Sequence, residues 1–458
     1  RAVDPPPCSY PAFKVPMLRR PQGQQPRHPV AGHGPELLVR LSRRPERRAH
    51  QPAGVAEYPQ RTDSHTRERG GGVGPDWRAV PLAPRRRSGD AAAVLTSLRI
   101  TGFRAFRSFS VDGLTRVNLL VGSNNSGKTS VLEAAEILAV GEPWVLLRSP
   151  TRRGDGFVAS YSGPRDIPSC GLGHMFHGHA LAGGSRFEIN GLNGLAAQPR
   201  FVRCELIPAS PDDAGAAGVP QDSFPMTDVE SEVALAIRFE SERAPARNIR
   251  LHPSGVLTGS AARIASQSGR VEDELVNFVG TADPGYRLRT LWDRLVLTPN
   301  EALVVDSLRL IEPRIEGIAA LTQPGPPLGS ILVKETNSER IPIGAMGDGM
   351  SRLLVLSANL VSSRGGCLLV DEIDTGLHHS VMSKMWRLLI ETARKLDVQV
   401  LATTHSLDCL RALAWTAEQV EDFRREISVH RIDRATPGSV RYGADELRIA
   451  VEHNMDVR

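Results

Sequence analysis

Nine residues, Gly122-Ser123-Asn124-Asn125-Ser126-Gly127-Lys128-Thr129-Ser130, constrain this chain more than any other stretch. Before them runs Arg116-Val117-Asn118-Leu119-Leu120-Val121, which reads as a buried strand, and residues 130–138 after them read as a helix. Strand, G-x4-G-K-T, helix is the context in which this spacing forms a phosphate-binding loop. Glycines let the backbone wrap closely around phosphates, so that the amides of residues 124–128 point inward, and the helix N-terminus adds its partial positive charge. Lys128 is then expected to reach the β- and γ-phosphates, and the Thr129 hydroxyl to ligate Mg²⁺. An ordinary glycine-rich turn does not need this strand before it and this helix after it.

A nucleoside triphosphatase also needs a carboxylate for the metal and a group that orients water. Cys367-Leu368-Leu369-Val370-Asp371-Glu372 supplies both at the end of an apolar strand. Asp371 is expected to hold Mg²⁺ and Glu372 to polarise the attacking water. The next strand-like run, Val398-Gln399-Val400-Leu401-Ala402-Thr403-Thr404, leads into His405, placed to sense a γ-phosphate. Upstream, Met346-Gly347-Asp348-Gly349-Met350-Ser351-Arg352 opens a helical run at 353–360, and a glycine-rich helix start is a second anion-binding device.

In this order, these residues resemble an ABC-type ATPase head, and the closest branch is the soluble RecF/SMC/OLD-like group among the P-loop ATPases of AAA-family type. The segment Asp374-Thr375-Gly376-Leu377-His378 and the strand-like Thr96-Ser97-Leu98-Arg99-Ile100-Thr101-Gly102-Phe103-Arg104-Ala105-Phe106 fit that group as well. The resemblance covers residues 94–140 and 330–458. It implies heads that dimerise with two ATP molecules between them, the signature of one subunit facing the P-loop of the other. Gly347, Gly349 and Arg352 would then contact ATP bound to the partner. Gly347 stands where that signature usually has serine, so a hydroxyl is missing there, with Arg352 and backbone amides to substitute for it.

From Gly122 to Gly347 the chain runs 225 positions, room for an inserted module. Strand-like pieces occur at 186–189, 201–207, 233–238 and 249–252. Thr298-Pro299-Asn300-Glu301 starts a helix: Thr298 as cap, Pro299 in the first position, Glu301 completing a capping box. No heptad pattern lasts three or four repeats, so no long coiled-coil arm is expected. Cys170, His174, His177 and His179 are soft ligands close together, but their spacing matches no closed zinc site, and packing or hydrogen-bonding roles are the simpler reading. Gln198 and Gln323 lack the context that would mark a nucleotide-sensing glutamine.

Charge divides the chain. Residues 1–93 hold 17 basic and 8 acidic residues and 15 of the 34 prolines, with no apolar period. Such a stretch cannot bury enough surface to offset chain entropy and is expected to be disordered. The sequence turns globular at Val94, where a GTG codon can serve as a start. The tail is thus either upstream translation, the simpler reading, or a basic arm for nucleic acid. The remaining residues are net acidic, at 39 basic and 43 acidic. Five scattered cysteines form no CxxC pair, which points to a reducing cytoplasm rather than a disulfide framework. No apolar run approaches the roughly 18 residues that span a bilayer, so no membrane role is expected.

The expected fold class is therefore α/β, a P-loop NTPase head of the ABC-ATPase kind: a mixed sheet with flanking helices, an inserted α+β module and the N-terminal tail. The expected division is 1–93 tail, 94–150 first part of the head, 151–330 insert and 331–458 second part of the head. Only 53 residues follow His405, reading as a strand at 426–432 and a helix at 444–451, so a metal-dependent nuclease domain has no room. The expected activity is ATP hydrolysis with Mg²⁺ in an ATP-dependent homodimer. Family analogy adds a separate nuclease or effector as partner, acting on nucleic acid in defence or repair. The alternatives are the nucleotide-binding subunit of a transporter and a silent ATP-binding scaffold. GTP is disfavoured because no NKxD motif occurs.

Overall fold

The computed structural model describes residues 95–154, 156–159, 167–179, 181–194, 198–210, 213, 235–243, 245–251, 255–258, 275–281, 285–320, 331–336 and 339–453. The basic tail and Gln323 lie outside them. All described residues belong to the second of two units of the chain, Asp76–Arg458.

In chain order the elements begin with β1 (Leu95–Phe103), β2 (Phe106–Asp112), β3 (Val117–Val121), α1 (Lys128–Val140) and α2 (Arg148–Arg152). Strands β4 (Gly156–Ala159), β5 (Ile167–Gly171), β6 (Arg186–Asn193), β7 (Gln198–Pro208), β8 (Leu235–Ser241), β9 (Arg247–Arg250), β10 (Val256–Thr258) and β11 (Val276–Val279) follow. Next come α3 (Gly285–Leu295), α4 (Pro299–Leu308), β12 (Ile315–Ala320), β13 (Ile331–Glu335), β14 (Arg340–Pro342) and α5 (Asp348–Ser362). The last elements are β15 (Cys367–Val370), α6 (His379–Leu396), β16 (Gln399–Thr403), α7 (Leu407–Gln419), β17 (Ile427–Arg431), β18 (Val440–Tyr442) and α8 (Ala444–Glu452).

A six-stranded sheet in the order β11-β15-β16-β3-β17-β18 carries the site. Its first five strands run parallel, and only β18 is antiparallel. Every residue of β3 and β16 is buried, as expected of parallel strands covered on both faces. Alternate residues of β3 therefore feed two cores. Val117, Leu119 and Val121 pack with Trp292, Leu353, Trp386, Leu413 and Leu447 from the helices on one side. Leu120 joins Val131, Ile137 and the sheet residues Leu98 and Ile100 on the other. Trp386 is fully buried and its indole N–H still finds a partner, donating to the Cys409 carbonyl at 3.1 Å.

The second side is closed by an antiparallel sheet in the order β2-β1-β6-β7-β8-β9. Strands from the stretch 151–330 thus share a sheet with β1 and β2, and β11 from the same stretch forms the edge of the parallel sheet beside β15. Two three-stranded sheets, β10-β5-β4 and β12-β13-β14, complete the strand set among the described residues. The start of α4 follows the expected cap with one change. Thr298 accepts from the Asn300 amide, while the Glu301 carboxylate accepts from the amide of Leu297 rather than from that of the cap. No helix among the described residues is long and apolar enough to cross a membrane.

Candidate nucleotide site

Neighbouring parallel strands end at one edge of the sheet, and strand ends at such an edge are where ligands of open α/β sheets bind. β3 lies beside β16, which lies beside β15, so Gly122, Thr404 and Asp371 emerge side by side. The loop after β3 is built on glycine. Gly122 has φ +147°, and a Cβ there would sit 2.5 Å from the Ile432 carbonyl oxygen. Gly127 has φ +103°, and a Cβ would fall 2.3 Å from the Phe106 ring, so β2 sets the height of the loop. Asn125 also takes a left-handed φ of 61°, a conformation Asn tolerates. Ser123 and Asn124 lie on the same loop, Ser130 is buried in the first turn of α1, and the Ser126 hydroxyl is buried without a protein partner.

Lys128 is buried, and its Nζ donates to the carbonyls of Gly122 (2.8 Å) and Ser123 (2.9 Å). The same nitrogen lies 3.4 Å from Nδ1 of His405. Burial pulls its pKa below the usual lysine value, and the charges of Asp371 and Glu372 oppose that shift. The Thr129 hydroxyl is 3.1 Å from each Asp371 carboxylate oxygen. Thr403, at the end of β16, donates from Oγ1 to Asp371 Oδ1 at 2.7 Å and accepts from the Glu372 amide at 2.8 Å. Glu372 Oε1 faces His405 Nε2 at 3.7 Å. A neighbouring pair extends the edge, with the Thr404 hydroxyl donating to Asp374.

Residues 122–130, Asp371, Glu372 and His405 are thus brought together from two ends of the chain. Gly347 and Gly349 lie apart from this cluster in sequence, at the start of α5. Gly347 is exposed with φ +95° and nothing within 4 Å of a Cβ position, whereas Gly349 packs against the Gly376 carbonyl. Arg352 departs from its expected place. Rather than facing outward toward a second nucleotide, its side chain is buried, and it donates to the carbonyls of Gly280 (2.9 Å), Asp371 (3.0 Å) and Glu372 (2.8 Å). The reason is local. One turn into α5, the side chain points toward the end of β15, where strand-end carbonyls have no sheet partner and a guanidinium fork satisfies several at once.

Thr403 and Phe106 are site-shaping residues that sequence reasoning did not single out. The paired threonines before His405 are the available signal for the first. Nothing local marks Phe106, which reaches the loop only through the antiparallel sheet. In the histidine cluster, His174 and His179 face each other with Nδ1 atoms 3.4 Å apart, and His177 engages the Arg104 carbonyl. Among the described residues no group of three or more His, Cys, Asp or Glu is placed to hold a metal ion. The hard oxygens of Thr129 and Asp371 are a donor set suited to Mg²⁺ shared with phosphate and water. The glycine cradle, the buried ammonium and the buried Ser126 hydroxyl fit a phosphate chain.

Residues 94–142 match a family model described as "AAA ATPase domain". Residues 229–410 match one described as "AAA domain, putative AbiEii toxin, Type IV TA system". A protein of Helicobacter pylori named ATP/GTP phosphatase is 20% identical over 348 residues, covering 70% of this chain and 87% of its own length. Solved structures similar to this one include an SMC head domain from Thermotoga maritima, with TM-score 0.40, 14% identity, and coverage of 76% of this chain and 98% of that one. Another is the Smc head with an extended coiled coil bound to the C-terminal domain of ScpA, from Pyrococcus furiosus, with TM-score 0.41, 12% identity, and coverage of 79% and 99%. The two matched stretches carry the two halves of the site, the loop with Lys128 on one and Asp371, Glu372 and His405 on the other, so each half lies in a stretch similar to an AAA-type ATPase domain.

Proposed function

We propose that the chain binds ATP with Mg²⁺, hydrolyses it at this site, and pairs with a second copy when ATP is bound. The carrying observation is the convergence of Lys128, Thr129, Asp371, Glu372 and His405, joined by contacts of 2.7 to 3.7 Å across the ends of three adjacent strands. The loop amides and Lys128 hold the β- and γ-phosphates, and the ammonium leaves its two carbonyls to do so. Thr129 and Asp371 would hold Mg²⁺, which would supply neutralisation of charge developing on the phosphate oxygens. Glu372 orients the attacking water and takes its proton as the oxygen bonds to the γ-phosphorus and the bond to ADP breaks. His405, within reach of both Lys128 and Glu372, donates to the γ-phosphate and holds the carboxylate in place.

Dimerisation rests on the glycine start of α5. Gly347 leaves the helix N-terminus open, and an unobstructed N-terminus accepts an anion from another molecule. The name of the Helicobacter pylori relative agrees with nucleoside triphosphate hydrolysis. The output is the opening and closing of the pair, passed to a separate nuclease or effector that acts on nucleic acid. The test is mass in solution for residues 94–458, with and without ATP and Mg²⁺, comparing the native chain with Glu372→Gln. A stable ATP-dependent dimer in the variant alone supports the reading. Unchanged mass in both while ATP turns over would end the dimer part of it.

A further inference from the structure

Glu372 occupies a left-handed conformation, φ 48°, which an L-residue with a Cβ ordinarily avoids. Its side chain is 43% exposed, and its carboxylate meets Thr375 Oγ1 at 3.4 Å and His405 Nε2 at 3.7 Å. Contacts this long leave much of the carboxylate's aim to the backbone that carries it. Three groups hold that backbone: Thr403 Oγ1 accepts from the Glu372 N–H, the Thr375 amide donates to the Glu372 carbonyl at 3.1 Å, and Arg352 donates to the same carbonyl and to that of Asp371 before it. Arg352 also donates to the Gly280 carbonyl just past the end of β11, so its fork ties the edge strand to β15.

We propose that Arg352 is a positioning residue for the hydrolytic step, holding Glu372 in its left-handed conformation from the helix whose glycine start is open to a second nucleotide. The inference rests on the reading of Glu372 as the group that orients water. Arg352 lies one turn into α5, which begins at Asp348, so a small rotation or slide of α5 moves the guanidinium relative to the carbonyl it grips. The helix start is also in close contact with the segment after Glu372. A Cβ at Gly349 would lie 3.1 Å from the Gly376 oxygen, and one at Gly376 3.4 Å from the Asp348 Cβ. Engagement of an anion at Gly347 thereby bears on the aim of the same subunit's Glu372, and hydrolysis waits for the partner.

The experiment measures steady-state hydrolysis and ATP affinity for the full chain with Arg352→Gln, Glu372→Gln and the double variant. Misaiming a reacting group by about an ångström costs on the order of a hundredfold. Arg352→Gln is accordingly expected to lower kcat by about that factor while KM and the affinity for ATP with Mg²⁺ stay within about twofold. Because Arg352 acts through the Glu372 carboxylate, Arg352→Gln should cause no further loss of the residual single-turnover rate in the Glu372→Gln background. A raised KM with unchanged kcat would overturn the proposal in favour of direct nucleotide contact. Equal losses with and without the Glu372 carboxylate would overturn it in favour of general damage to the fold. Native-like turnover by Glu372→Gln would instead remove the water-orienting role itself, a separate failure. Arg352→Lys, with one nitrogen in place of the fork, is read by the same criteria where Arg352→Gln does not fold.

Discussion

Thr129 and Asp371 stand 242 positions apart in the chain, yet the threonine hydroxyl lies 3.1 Å from both oxygens of the aspartate. On the proposed reading a divalent cation would be held at that contact, and Thr403 supports it by donating to Asp371 Oδ1 at 2.7 Å. Outer partners of this kind orient a metal ligand, and their loss typically weakens metal binding 10–100-fold, roughly speaking. Thr403→Val should therefore raise the Mg²⁺ concentration needed for half-maximal hydrolysis by about that factor. Asp371→Asn, which removes the charge itself, should raise it at least as far. A Mg²⁺ titration of ATPase rate reads both.

Lys128 spends its hydrogen bonds on the carbonyls of Gly122 and Ser123. Lys128→Ala removes the charge that meets the phosphates, and hydrogen bonds to charged groups contribute about 1.5–3 kcal/mol. ATP affinity should fall by roughly 10–100-fold. The fold should persist, since the ammonium's partners are two carbonyls of the loop and the His405 ring rather than groups of the apolar core. Equilibrium binding of ATP together with a thermal melt distinguishes lost binding from lost structure.

Sequence reasoning reached the parts of this site whose chemistry is local. The loop at 122–130 announces itself by glycine spacing between a strand and a helix, and Asp371-Glu372 by two carboxylates ending an apolar run. The parts it placed differently depend on contacts between distant segments. Arg352 sits beside glycines that suggest an outward-facing role, and only the packing of α5 against β11, which brings it to the end of β15, shows that its fork is spent on strand-end carbonyls. The stretch 151–330 offered short strand-like pieces with no local sign of which sheet they join. Pairing of β6 with β1 and of β11 with β15 is decided by long-range register, which alternation within each strand does not encode.

His430 predicts a pH dependence of stability. It is fully buried on β17, between the hydroxyls of Ser428 (2.9 Å) and Ser439 (3.4 Å). Burial, helped by the Arg441 charge, lowers its pKa from 6.5 to about 4. The folded imidazole thus stays neutral where the unfolded one binds a proton. Stability from this group is complete above about pH 6.5, falls as pH drops toward about 4, and levels off below that. At about 1.4 kcal/mol per pH unit the loss amounts to about 3 kcal/mol. His430→Gln should remove this contribution, flattening the slope of melting temperature against pH across that window relative to the native chain.

The helix that carries the phosphate loop is also held by buried charge. Glu133 of α1 is 1% exposed and lies 2.7 Å from Arg104 Nε, while Arg153 donates to both of its oxygens at 2.8 and 2.9 Å. One turn along, Glu136 is equally buried and is met by Arg148 and Arg152. Glu133→Ala would strand the Arg104 guanidinium in the interior, and breaking a buried pair from one side costs about 3–5 kcal/mol. The exposed pair Arg387–Glu391 on α6 offers the contrast, since Arg387→Ala should cost no more than about 0.5 kcal/mol. Replacing Arg104 and Glu133 together by methionine should recover most of the loss, because the penalty lies in the unpaired charge rather than in the missing attraction. Denaturant unfolding of the four chains checks the order native, Arg387→Ala, double methionine, Glu133→Ala. If Glu133→Ala matches Arg387→Ala instead, water reaches Arg104, and the ionic network does not hold the loop helix.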